Sequence, residues 1–144
     1  MDSAKRAISG TWGELWLDGE KVAECYGLQA KITYNKEEVA ICGQPLVDTK
    51  VMSAKGTGSI KLHHVYSRMI ELIGDSGANG RDRRFILISK LADPDAYGTE
   101  RVALSNLSFD DLTIADWEAA KRGVRECPFT FADNPKWLDK IGAA

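Results

Sequence analysis

The chain has 144 residues, 28% charged and 44% apolar, and 19 basic against 21 acidic side chains give it a formal net charge of −2. That length fits one domain and lets folding bury about 70% of the unfolded surface. The near-neutral balance gives neither the basic footprint of a nucleic-acid binder nor an acidic tail, and no apolar run approaches the roughly 18 residues of a membrane-spanning helix.

Residues 1–9 are polar, lack the apolar core of a signal peptide and read as a loosely ordered lead-in. The expected compartment is therefore a cytoplasm, or an exit from it that bypasses the secretory route. From Thr11 to Leu17 the chain alternates, with Trp12, Glu14 and Trp16 on one face and Gly13, Leu15 and Leu17 on the other. Asp18-Gly19 then signals a two-residue hairpin, whose turn needs positive φ. Residues 22–34 read as a long strand, with Leu28, Ala30 and Ile32 opposite Gln29, Lys31 and Thr33. Gly27 marks a candidate bulge within it. Asn35-Lys36 reads as a turn and residues 38–42 as a short strand.

Residues 43–58 fit neither helical nor strand periodicity. Loops beyond about 12–15 residues are uncommon in compact domains and usually carry function or are disordered. Leu46, Val47, Val51 and Met52 make this one too apolar for a solvated linker, and it reads as an arm that docks on another molecule. Residues 59–65 form a strand. Ser67 caps a short helix over residues 68–73, ending at Gly74. Residues 75–82 are a polar loop, and residues 84–91 a strand. Residues 101–109 form a strand whose apolar phase shifts between Leu104 and Leu107, which predicts a bulge at Ser105-Asn106. Asp110-Asp111 precedes a segment from Leu112 to Trp117, and residues 118–123 read as a helical turn or a hairpin loop, between which periodicity does not decide. Residues 124–131 form a final strand, with Pro128 at an edge or bulge. The tail, residues 132–144, docks as a short helix through Trp137, Leu138 and Ile141. About eight short strands and one helix give a mainly β protein, an antiparallel barrel or sandwich with one flanking α-helix.

Candidate chemistry is sparse. Cys25, Cys42 and Cys127 are odd in number and form no Cys-x-x-Cys, so they read as small buried hydrophobes on strands. His63 and His64 are strand neighbours on opposite faces and cannot chelate one ion together; one is expected in the core and the other outside. Gly56-Thr57-Gly58 opens like a dinucleotide fingerprint. However, Lys61 replaces the third glycine and a strand follows, so these read as turn glycines. Arg81, Arg83 and Arg84 surround Asp82 in what reads as an ordinary solvated loop. The carboxylates are dispersed over turns, and no pair stands out as general acid and base. No catalytic, cofactor-binding or metal site is nominated. Trp12, Trp16, Trp117 and Trp137 read as core, or alternatively as an aromatic contact surface, where tryptophan is enriched.

The segments that occur in order along the chain resemble a known family. They are Ile8-Ser9-Gly10, Asp18-Gly19-Glu20, Leu28-Gln29-Ala30-Lys31-Ile32 and Gly56-Thr57-Gly58-Ser59-Ile60. They continue through Val65-Tyr66-Ser67-Arg68-Met69-Ile70-Glu71-Leu72, Gly98-Thr99-Glu100-Arg101-Val102 and Cys127-Pro128-Phe129-Thr130-Phe131-Ala132-Asp133. Together they are similar to the PBSX-prophage-like tail tube proteins of contractile phage tails. The resemblance covers nearly the whole chain but departs at Cys127 and over the last dozen residues.

The resemblance implies a structural protein without catalysis. It would assemble as six-membered rings stacked into a hollow tube, in a phage tail or a headless contractile bacteriocin assembled in the bacterial cytoplasm. Its expected partners are other copies of itself, the tail sheath protein, and the tape measure and baseplate proteins. DNA could pass through the lumen without specific binding. Within that picture Leu46, Val47, Val51 and Met52 become the inter-ring contact, with the glycines at 43–58 as hinges of the arm, and Gln29, Lys31 and Thr33 face the lumen. The competing readings are a monomeric β-sandwich ligand-binding module and, with less to support it, a small barrel enzyme.

Overall fold

A computed structural model describes residues 3–67, 69, 71–72 and 82–141. Eight strands form one antiparallel sheet: β1 (Gly13–Leu17), β2 (Glu20–Lys21), β3 (Cys25–Val39), β4 (Asp48–His63), β5 (Phe85–Leu91), β6 (Glu100–Phe109), β7 (Val124–Phe131) and β8 (Lys136–Asp139). The sheet order is β2-β1-β5-β6-β7-β4-β3. Strand β8 joins the same edge of β6 that pairs with β7, so the sheet forks there. Met69, Glu71 and Leu72 are helical; the rest of the helix expected over residues 68–73 lies outside the described residues, as does most of the 75–82 loop.

The core is the shared inner face of the curled sheet. It gathers Leu15, Leu17, Ile60, Leu62, Phe85, Leu87, Leu104, Leu107, Phe129 and Phe131, with Met69 of the helix against them. Burying each such side chain contributes about 1.5–3 kcal/mol. The tryptophans are not part of it: Trp12, Trp117 and Trp137 are exposed and Trp16 is half-buried. Trp12 ends a 3-10 turn (Gly10–Trp12), so it shares no strand face with Trp16.

The expected turn at Asp18-Gly19 is present, with φ of 50° and 85°. Asp18 also accepts the Ile86 N–H on Oδ1 and donates its own N–H to the Ile86 carbonyl, both at 2.8 Å. These bonds extend the β1–β5 ladder one residue beyond Leu17↔Leu87. Phe85 pairs with Leu107 and Leu87 with Leu104, leaving Ser105 and Asn106 opposite a single residue. Asn106 takes φ 54°. This bulge explains the phase shift read from the sequence, because it turns both Leu104 and Leu107 inward. The Cys25/Gly27 register shift is the bulge expected near Gly27. Pro128 sits just beyond the β6–β7 pairs; its carbonyl accepts from Asp110 N–H at 2.9 Å, and no returning donor is needed.

Residues 4–6 and 136–139 take regular structure that the sequence does not show. The 3-10 turn Ala4–Arg6 begins at a Ser3 cap, Arg6 donates to the Asp95 carbonyl, and Ser9 N–H donates to Asp93 Oδ2 at 2.9 Å. The lead-in is thus tied to the turn at residues 93–95. The tail is a strand and not a helix: Trp137 pairs with Val102, and Asp139 forms an ion pair with Arg101 at 2.6 Å. An unpaired edge on β6 offers extended chain a ladder, and that tertiary pairing overrides weak local preference.

Candidate assembly interface

The largest departure from the sequence reading is residues 35–58. There is no turn at Asn35-Lys36, no separate strand at 38–42 and no long loop. Instead β3 and β4 run on past the sheet as one hairpin. Register continues from Leu28↔Ile60 through Thr33↔Lys55 to Val39↔Asp48, with one shift beside Met52. Strand β7 pairs with β4 only from Gly56 onward. Residues 33–55 are exposed throughout and pair only with one another among the described residues. The tip turns at Ile41-Cys42-Gly43-Gln44, where Gln44 N–H reaches the Ile41 carbonyl and Gly43 takes φ 82°. Positive φ at the third position marks a type II turn and favours glycine.

A lone two-stranded hairpin is marginal in water. This one also displays apolar side chains: Tyr34, Val39, Ile41, Leu46, Val47, Val51 and Met52 are all exposed, Leu46 by 83%. Val51 opposes Lys36, Met52 sits at the bulge, and Leu46 and Val47 lie in the connecting segment. Sequence reading found the last four and missed Tyr34, which it placed at the end of the 22–34 strand, and Val39 and Ile41, which it placed in the short strand expected at 38–42.

Gly56 and Gly58 are not hinges. They lie inside β4, opposite Phe131 and Phe129 of β7. A Cβ on either would meet those rings at 2.5 Å, so glycine here makes room for aromatic cover.

Gln29, Lys31 and Thr33 are exposed on the outer face of β3. The ladder carries that face across the sheet: Gln29 opposes Ser59, and Lys31 opposes Thr57, which opposes Thr130, which opposes Ser108. The Thr130 and Ser108 hydroxyls lie 3.4 Å apart. Behind this polar face is the apolar one of Leu28, Ile60, Phe129 and Leu107. The Gln29, Lys31, Thr33 group meets the hairpin only at its root.

The remaining candidates separate. His63 stacks on Tyr26 with ring centroids 4.5 Å apart, and His64 is exposed, so neither occupies the core. The core needs only Ile60 and Leu62 from that end of β4. Cys127 is buried and Cys25 half-buried, and burial raises both thiol pKa values, Cys127 to about 11. Cys42 is exposed at the hairpin tip, contrary to the expectation of three buried thiols. Arg84 pairs with Asp82 at 2.7 Å and Arg83 with Asp18 at 3.6 Å; Arg81 lies outside the described residues.

The geometry is a curled antiparallel sheet with a polar outer face and a free apolar hairpin. The family profile described as phage tail tube protein matches residues 2–135. The chain is 37% identical over 132 residues to the phage-like element PBSX protein XkdM of Bacillus subtilis (strain 168), covering 90% of each. Among solved structures, a chain of the sheath–tube complex of an extracellular contractile injection system (PVC) superposes with TM-score 0.72 at 12% identity. That match covers 94% of this chain and 93% of the other. A chain of the six-fold symmetrised anti-feeding prophage baseplate gives 0.63 at 10% identity, covering 88% and 90%. The chain belongs to the phage tail tube protein family and is a structural subunit of a tail tube.

Proposed function

We propose that this subunit builds the inner tube of a contractile tail or tail-like particle as stacked six-membered rings, with the β3–β4 hairpin joining one ring to the next. The observation that carries the reading is the hairpin itself. Residues 33–55 are exposed, extend past the rest of the sheet and carry apolar side chains that no described part of the subunit covers. Exposed apolar surface of this kind marks a contact with another molecule, and in a tube the molecule always at hand is another copy.

The polar face through Gln29, Lys31 and Thr33 lines the lumen in this reading. It suits an aqueous channel, because apart from Pro128 its central rows carry polar side chains: Gln29, Ser59, Lys31, Thr57, Thr130 and Ser108. The rings are heterologous contacts that close by rotation, and β3, an edge strand among the described residues, offers backbone groups with which a neighbour can pair. The sheath outside the tube and the tape measure and baseplate proteins at its end are the further partners. Six-fold order and the sheath are supported by the assemblies in which structurally similar chains were solved. The role is structural and includes no catalysis, and assembly takes place in the bacterial cytoplasm.

Negative-stain electron microscopy with light scattering on the purified chain tests this. Rings or tubes are expected. A particle that stays monomeric across concentrations, with or without tail initiator proteins, would favour the ligand-binding sandwich instead.

A further inference from the structure

Strand β4 ends in two different settings. Its first residues belong to the free hairpin. Its last, His63, pairs with Val124, and His64 N–H donates to the Gly123 carbonyl at 2.9 Å. Sixteen residues of strand separate these ends, roughly 50 Å of extended chain, so the hairpin and the 110–123 connection lie at opposite ends of the longest strand.

The second end is also apolar and uncovered. Arg125 donates to the Asp116 carbonyl at 3.1 Å, which holds the connection against the start of β7. Ile114 and Trp117 stand out from it, 78% and 85% exposed. Tyr66, 64% exposed, borders the cleft formed by Asp111, Leu112 and Thr113 on the same side. Trp117 is thus as uncovered as Leu46 at the opposite end. Tryptophan and tyrosine are the residue types that most often dominate interface energy.

A head-to-tail stack needs a donor surface at one end of the subunit and an acceptor at the other, whereas a tip-to-tip contact closes as a dimer and stops. We infer that Tyr66, Ile114 and Trp117 form the acceptor surface for the hairpin of the next copy along the tube axis. This rests on reading the hairpin as the inter-ring arm. Aliphatic Leu46, Val47 and Met52 then lie on broad aromatic faces, and both ends lose their exposed apolar surface in one contact.

Cys42 makes the test direct, because it is the single exposed thiol at the hairpin tip. Ala115→Cys adds a second exposed thiol between Ile114 and Trp117. A short bismaleimide applied to assembled Ala115→Cys protein should give a ladder of multimers on a denaturing gel. Wild type, with Cys42 as its one exposed thiol, and Lys136→Cys, whose added thiol is on β8, should stay largely monomeric. Trp117→Ser combined with Tyr66→Ser should keep the circular dichroism spectrum and lose at least tenfold in tube mass. Tubes that form normally while Ala115→Cys gives no ladder would place the hairpin elsewhere and overturn the acceptor, leaving the tube reading intact. Absence of both ladder and tubes in Ala115→Cys and in wild type would overturn the two together. Dimers that dominate in wild type would mean tip-to-tip contact and also overturn it.

Discussion

Phe129 stands where a side chain on Gly58 would have to go. A Cβ there would lie 2.5 Å from the ring and press on the Gln29 carbonyl. Gly56 has the same relation to Phe131, but there the nearest atoms all belong to the ring and none to backbone. Gly58→Ala should therefore cost more than the 1–3 kcal/mol typical of overpacking, because backbone must move. Gly56→Ala should cost about that amount, and Phe131→Leu should recover part of it. Urea denaturation of the singles and doubles checks this; equal rescue at both positions would contradict it.

The exposed residues of the hairpin predict a separation of stability from assembly. Leu46→Ser and Val51→Ser should change unfolding free energy by less than about 0.5 kcal/mol, as surface substitutions do. Both should reduce tube formation strongly. Thermal melts of unassembled protein, read beside micrographs, measure the two effects separately.

Thiol chemistry supplies a third prediction. Only the thiolate reacts, and burial lifts Cys127 from the ordinary 9.0 to about 11. Cys42 should therefore label rapidly at pH 8 and Cys25 and Cys127 slowly, and assembly should slow Cys42. The Cys127 shift also has a stability consequence. The unfolded chain loses the thiol proton first, so its contribution is complete below pH 9 and disappears between 9 and about 11. Cys127→Val should flatten alkaline destabilisation over that interval.

Asp93 anchors the lead-in by accepting from Ser9 and Asp95 N–H groups, which lower its pKa below 3.8. A lowered carboxyl pKa stabilises above the ordinary value, and the effect is lost as pH falls through the folded one. Asp93→Ala should release residues 3–12 to proteolysis at neutral pH. Wild type should show the same release only below pH 3.8.

The sequence was legible wherever a strand faced the core. Leu15 and Leu17 and the Leu104–Leu107 phase shift marked inner faces, and Asp18-Gly19 marked its turn. It failed at residues 35–58, because strands with no core beneath them have no reason to alternate, and Lys36-Glu37-Glu38 looks like a surface turn. Gly56 and Gly58 compounded this, since the phenylalanines that require them are more than 70 residues away. The tail failed similarly: Trp137 and Leu138 fit a helix or a strand until the free edge of β6 decides.

The central claim is that the hairpin joins rings. Replacing residues 36–52 with Asn-Gly would join Asn35 to Ser53 in a tight turn and leave the core untouched. Electron microscopy of this variant should show a folded subunit, alone or as isolated rings, and no tubes. Tubes of normal length and repeat would contradict the account.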